Sequence, residues 1–169
     1  LDGLNDFDLS KYSYLLIRMS PMLITFGSRD LLGDYSALAK VNLLKYDLHI
    51  WYKTNAIPFT CNTWKSDIEY ISIIWSSKPG WKQVSQERCS KVWQSPISTE
   101  NFHPAGKPVK LIQKYIEIYD ANLVLDPFLG SGTTALAAKR LGRKYIGIEI
   151  CERYCEIAKK RLLQMELPL

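Results

Sequence analysis

The strongest constraint on this chain lies in its last third. Asn122-Leu123-Val124-Leu125 is a short apolar run that leads directly into Asp126-Pro127-Phe128-Leu129-Gly130-Ser131-Gly132-Thr133-Thr134. An apolar run closed by glycines predicts a buried strand followed by a tight turn. Ala135 to Leu141 then reads as a helix with small residues on its sheet-facing side, and Gly142 stops it. Lys144-Tyr145-Ile146-Gly147-Ile148-Glu149-Ile150 predicts the next strand, and Glu152 to Met165 a closing helix. Together these segments form one βαβ unit, a piece of an α/β sheet with crossover connections.

The rest of the chain extends that pattern. Asp8-Leu9-Ser10 caps a helix running from Tyr12 to about Met19, which Pro21 ends. Met22 to Phe26, closed by Gly27-Ser28, has the pattern of a buried parallel strand. Leu31 to Leu44 reads as a helix, and Tyr46 to Lys53 and Ile68 to Trp75 as strands rich in β-formers. Pro108 is placed to open a helix through Leu111, Ile112, Tyr115 and Ile116. Ser76 to Phe102 lacks clear periodicity and reads as an irregular insertion. A length of 169 residues predicts a single domain over 1–169. The opening Leu1-Asp2-Gly3-Leu4-Asn5 reads as an internal beginning rather than a leader.

The βαβ unit also frames a site for a nucleoside cofactor. Gly130 and Gly132 let the backbone approach a ligand with no Cβ in the way, and the N–H groups at the helix start offer hydrogen bonds. Glu149 follows Asp126 at close to the roughly 20-residue offset of an acid that holds ribose hydroxyls. A solvated strand end is the alternative for Glu149. Gly130-x-Gly132-x-x-Ala135 also fits the dinucleotide fingerprint, so the glycines alone leave the cofactor open. Asp126 separates the two. A carboxylate beside this turn repels a pyrophosphate, whereas the methionine end of S-adenosylmethionine carries an ammonium that wants one. Too few residues follow Gly130 for the remaining strands of a dinucleotide domain, so the other strands come from sequence before the turn. A phosphate-binding P-loop is excluded, because Thr133 stands where its lysine is needed.

These residues carry a resemblance. Asp126 to Thr134 is similar to the cofactor motif of the permuted DNA amino-methyltransferases, the adenine-N6 and cytosine-N4 enzymes of the beta group. His103-Pro104-Ala105-Gly106-Lys107-Pro108-Val109-Lys110-Leu111 resembles the His-Pro-x-x-Lys-Pro motif that precedes it in that group. Leu48 to Lys53 and Asp67-Ile68-Glu69-Tyr70 resemble the family's middle strands more loosely. The resemblance implies a Rossmann-like class-I S-adenosylmethionine-dependent methyltransferase sheet, open, mostly parallel and circularly permuted. It implies cofactor contacts from Asp126, Pro127, Phe128, Gly130, Ser131, Gly132, Thr133 and Thr134, ribose binding by Glu149, and His103 with Lys107 beside the methionine end. For His103-Pro104 a rigid helix-initiating turn is the alternative.

One departure stands out. The family grips its target amine with an Asp/Asn/Ser-Pro-Pro-aromatic motif, and no Pro-Pro occurs in this chain. In the permuted order that motif lies just upstream of Leu1, so the chain is expected to be incomplete there and inactive by itself. The residues 76–102 are the natural target-recognition insertion. Lys78, Lys82, Arg88 and Lys91 would contact phosphate and Trp81 or Trp93 would stack or wedge, although tryptophans in such a segment also serve simply to pack it. A base amine becomes reachable only when the base leaves the duplex, which places a flipped-base pocket near Phe26 and Ser28. The net charge of +5 is compatible with a phosphate-rich partner, and double-stranded DNA is the expected one; a homodimer is left open. Cys61, Cys89, Cys151 and Cys155 form no CxxC, so neither a metal site nor a disulfide is expected, in keeping with a reducing cytoplasm. No apolar run is long enough for a membrane helix. Rival readings are a same-fold methyltransferase acting on RNA or protein, and a non-catalytic cofactor- or DNA-binding remnant.

Overall fold

Helix α1 (Leu9–Met19) stops just before Pro21, which has no N–H to continue it, and β1 (Met22–Gly27) follows. A 3-10 turn at Arg29–Leu31 leads into α2 (Leu32–Val41), and β2 (Lys45–Lys53), β3 (Ile68–Trp75) and β4 (Val92–Ser95) follow. The computed structural model describes residues 9–56, 66–77, 85–97 and 106–164. Its contacts divide the chain into two units, Leu1–Pro79 with Ser90–Gln94, and Gly80–Cys89 with Ser95–Leu169.

The first unit is built on a four-stranded sheet in the order β1-β3-β2-β4. β3 is antiparallel to both neighbours, with Ile24 opposite Ile73 and Leu48 opposite Ser72. The expected parallel pairing of β1 is therefore wrong, and the registered pairs of this sheet are antiparallel rather than mostly parallel. Connection type explains the difference. α2 joins β1 to β2, and those two run the same way, as a crossover requires. No helix separates β2 from β3 among the described residues, so the chain returns antiparallel. Hydrophobic patterning reports burial, which is continuous over Ile71–Ile74, but not strand direction. β4 was also not foreseen in the insertion. It lies beside β2, where the Ile50 N–H donates to the Lys91 carbonyl at 2.8 Å.

The core of this unit gathers Tyr35, Ala39 and Ile74, with Ile17, Leu31, Leu38, Leu44 and Tyr46 around them. Its hydroxyls are satisfied: Tyr35 pairs with Thr25 Oγ1 at 2.9 Å, and Tyr46 with Ser72 Oγ at 3.2 Å. Burial pushes the Tyr35 phenol above its ordinary pKa despite that bond. α2 ends at Val41, short of the expected Leu44. Asn42 Nδ2 donates to the Leu38 carbonyl, Leu43 turns left-handed at φ 55°, and the Leu44 N–H reaches back to Ala39 at 2.8 Å. That six-to-one bond closes the helix.

In the second unit a 3-10 turn (Gln86–Cys89) precedes α3 (Val109–Ile118), with Pro108 at its N-cap as expected. Then come β5 (Leu123–Asp126), α4 (Thr133–Arg140), β6 (Lys144–Gly147) and α5 (Glu152–Leu163). β5 and β6 are parallel, Leu125 opposite Ile146, so the predicted βαβ unit is present. α4 sits at the centre, against α3, α5, β5 and β6. It can do so because Ala135, Ala137 and Ala138, buried together with Leu136, let neighbouring backbones come close. Arg143 fixes the start of both strands by donating to Asn122 Oδ1 at 2.9 Å and Asp120 Oδ1 at 2.6 Å.

Two substitutions check this packing by urea denaturation. Ile73, fully buried on β3, loses about 2–5 kcal/mol of stability as Ile73→Ala. Leu43→Gly removes the left-handed strain at an exposed position and gains about 1 kcal/mol.

Candidate functional site

The end of β5 and the start of α4 are joined by a turn held by several backbone hydrogen bonds. The Ile148 N–H donates to the Asp126 carbonyl and the Leu129 N–H to the Ile148 carbonyl, both at 2.9 Å, so the ladder continues past the strands into the turn. Gly130 and Gly132 adopt left-handed conformations, φ 54° and 85°, which let the chain reverse into α4. The Gly132 N–H closes onto Leu129 at 3.0 Å, and the Gly132 carbonyl accepts the first helical bond from Leu136 at 2.9 Å.

Two carboxylates are tied to this backbone. Asp126 Oδ1 accepts the Phe128 N–H at 2.9 Å, while its second oxygen has no partner among the described residues. Glu149 spans the turn, its Oε2 accepting the Gly130 N–H at 2.7 Å and its Oε1 the Cys151 N–H at 2.8 Å. Turning Glu149 back in this way ends β6 at Gly147, short of the predicted Ile150. Phe128, two residues after Asp126, and Ile150, next to Glu149 in sequence, are exposed, Ile150 completely so. Asp126, Pro127, Phe128, Gly130, Ser131, Gly132, Thr133 and Thr134 lie along this one turn, and Glu149 is hydrogen-bonded to it.

The sequence does not single out what lies beneath the turn. Arg161 on α5 is buried, and its Nη1 donates to the Ser131 carbonyl at 2.8 Å, Ser131 Oγ at 3.2 Å and Thr133 Oγ1 at 3.3 Å. One helical turn earlier, Ala158 is so close that a Cβ on Gly132 would lie 2.8 Å from its own. Arg161 sits in the basic run Lys159-Lys160-Arg161, and only its three-residue spacing from Ala158 hints that it is the inward-facing cation. A second buried cation, Lys114 on α3, is held below its ordinary pKa by desolvation.

The remaining candidates fall elsewhere in the sequence. Lys107 is half-buried just before α3. His103, Lys78, Trp81 and Lys82 lie outside the described residues. Arg88 is paired with Glu117, and Lys91 Nζ with Asp47 Oδ1 at 2.6 Å, so both described cations already have acidic partners. Burial pushes the Asp47 carboxyl up, but the bonds from Lys91 and the Leu48 N–H, with the charges of His49 and Lys91, hold it below its usual value. Phe26 is half-buried at the end of β1, and Ser28 is exposed beyond it. Cys89, Cys151 and Cys155 are free thiols, and no acid, histidine and cysteine cluster fit for a metal occurs among the described residues. Nor is any described helix long and apolar enough to cross a membrane.

With this geometry, comparison with known proteins is direct. Residues 39–160 match the family of N6/N4 DNA methylases, and the chain belongs to that family. It is 34% identical over 132 residues to the type II methyltransferase M2.LlaDCHI of Lactococcus lactis subsp. cremoris, covering 66% of this chain and 48% of that one. It is 28% identical over 197 positions to M.HinfI of Haemophilus influenzae, covering 98% and 55%. The chain therefore spans about half the length of these relatives. Among solved structures, the M1.HpyAVI–SAM complex superposes with a TM-score of 0.74 at 31% identity, over 90% of this chain and 79% of that one. The fold is accordingly the class-I methyltransferase α/β fold, with a mixed sheet.

Gly132→Ala tests the turn geometry. A side chain at φ 85° against Ala158 costs about 3 kcal/mol in chemical denaturation. Gly33→Ala, in the exposed first turn of α2 with nothing nearby, instead gains about 0.5–1 kcal/mol.

Proposed function

We propose that this chain carries the cofactor site of a DNA amino-methyltransferase that transfers a methyl group from S-adenosylmethionine to adenine N6 or cytosine N4. The observation that carries this reading is the pair of carboxylates, Asp126 and Glu149, hydrogen-bonded to one glycine turn. Two acids at the mouth of a turn repel a pyrophosphate and suit a ligand with an ammonium and a cis-diol. The donor set therefore fits S-adenosylmethionine. Asp126 Oδ1 is anchored by Phe128, which leaves the other oxygen to meet the ammonium of the methionine end. Glu149 keeps acceptor capacity on both oxygens for ribose hydroxyls, since each accepts only one N–H. Exposed Phe128 and Ile150 supply apolar surface next to these acids for a base.

When bound, the cofactor supplies an electrophilic methyl on its sulfonium. The chain's own residues would hold that methyl in place, and such positioning lowers the barrier by avoiding the entropy cost of bringing the reactants together. His103 and Lys107 flank the methionine end in this reading. The permuted order, double-stranded DNA as partner, recognition through residues 76–102 with Lys78, Trp81, Lys82, Arg88 and Lys91, and a cytoplasmic location belong to it as well; a homodimer stays open. The match of residues 39–160 to the DNA methylase family supports the DNA assignment. Arg88 and Lys91 would have to leave or share their acidic partners to reach a phosphate.

The absence of Pro-Pro from these residues favours a second reading, in which the chain binds the cofactor without transferring methyl. Calorimetric titration and a labelled-methyl assay on DNA test both. The chain is expected to bind S-adenosylmethionine saturably, with affinity lowered about tenfold or more in Asp126→Ala and no heat from NAD. Equal binding of NAD, or no effect of Asp126→Ala, overturns the cofactor assignment. Label reaching DNA favours the first reading, and binding without transfer the second.

A further inference from the structure

We propose that Arg161 is a positioning residue for the cofactor's amino-acid end, setting the hydrogen-bond polarity of the turn from beneath. The inference rests on the proposed reading of that turn as an S-adenosylmethionine site. Arg161 is 8% exposed, and its Nη1 donates to three oxygen atoms of the turn, the Ser131 carbonyl, Ser131 Oγ and Thr133 Oγ1. A guanidinium can only donate, so both hydroxyls accept from it. Each hydroxyl has a single proton, and with Arg161 supplying the bond from below, that proton is left to be given elsewhere. Arg161 thereby makes Ser131 and Thr133 donors toward an acceptor, and the acceptor-rich group of S-adenosylmethionine is its carboxylate.

The same helix face fixes the height of the turn. Ala158 occupies the space a Cβ on Gly132 would need, and Arg161 grips the residues on either side of that glycine. α4 is tied to α5 in turn, Lys139 Nζ donating to the Leu162 carbonyl at 3.0 Å. Supporting groups of this kind hold a binding constellation to within a fraction of an ångström. A loosened turn would keep its fold and lose its aim.

Paired ligands separate positioning from mere support. S-adenosylhomocysteine carries the amino-acid end, and 5′-methylthioadenosine has the same nucleoside without it. In the full chain, Arg161→Met is expected to weaken S-adenosylhomocysteine on the order of tenfold while leaving 5′-methylthioadenosine within about twofold. Arg161→Lys, which keeps a buried donor, is expected to recover part of the loss. Equal weakening of both ligands, or of neither, overturns the proposal. Hydrogen exchange gives a readout independent of ligand. Amides of 130–134 should exchange faster in Arg161→Met while those of α3 do not change, and uniform acceleration or none contradicts the inference. A chain in which no variant binds either nucleoside, yet exchange at 130–134 responds selectively, would refute the cofactor reading and retain the Arg161 clamp.

Discussion

The turn between β5 and α4 depends on how closely α5 approaches it. With no side chain on Gly132, Ala158 can lie directly against the backbone, and Arg161 then reaches the Ser131 carbonyl. The approach also requires the left-handed backbone that glycine adopts without cost. Once α5 is seated, the other features follow. α4 is held between α5 and the strands by its alanines, and β6 is brought into register with β5. The chain beyond β6 can then return Glu149 onto the Gly130 N–H. A local steric requirement is thus converted into a fixed pair of carboxylates.

That arrangement has an electrostatic meaning. Two acids and a glycine turn would be a poor place for a phosphate, although the N-terminus of a helix is by itself attractive to anions. Asp126 is anchored through one oxygen only, and Glu149 through one bond per oxygen. Both are therefore oriented without being saturated. The buried guanidinium of Arg161 donates through Nη1 to neutral oxygens of the turn, and these hydrogen bonds orient it.

Much of this was legible in the sequence because it is local. Asp126 to Thr134 is contiguous, and its strand–turn–helix character and the offset to Glu149 could be read from spacing alone. What could not be read is what depends on distant partners. β1 has the apolar run of a buried strand, yet it pairs antiparallel with β3, because direction is set by the intervening connections. β4 was hidden in a segment without periodicity, since Val92–Ser95 is too short to show alternation. Arg161 is one of three consecutive cations, and only its spacing from Ala158 hints at the burial that distinguishes it. Arg88 and Lys91, chosen for charge, turned out to have acidic partners, Glu117 and Asp47, 29 and 44 residues away in sequence.

The central claim is that this turn, with its two acids, receives S-adenosylmethionine. The most direct measurement is amide chemical-shift mapping of the labelled chain during titration with the non-reactive product S-adenosylhomocysteine. Perturbations concentrated at 126–134 and 149–151, saturating together, are the predicted result. A folded chain in which those amides do not move, or in which the shifts cluster on the first unit alone, would contradict it.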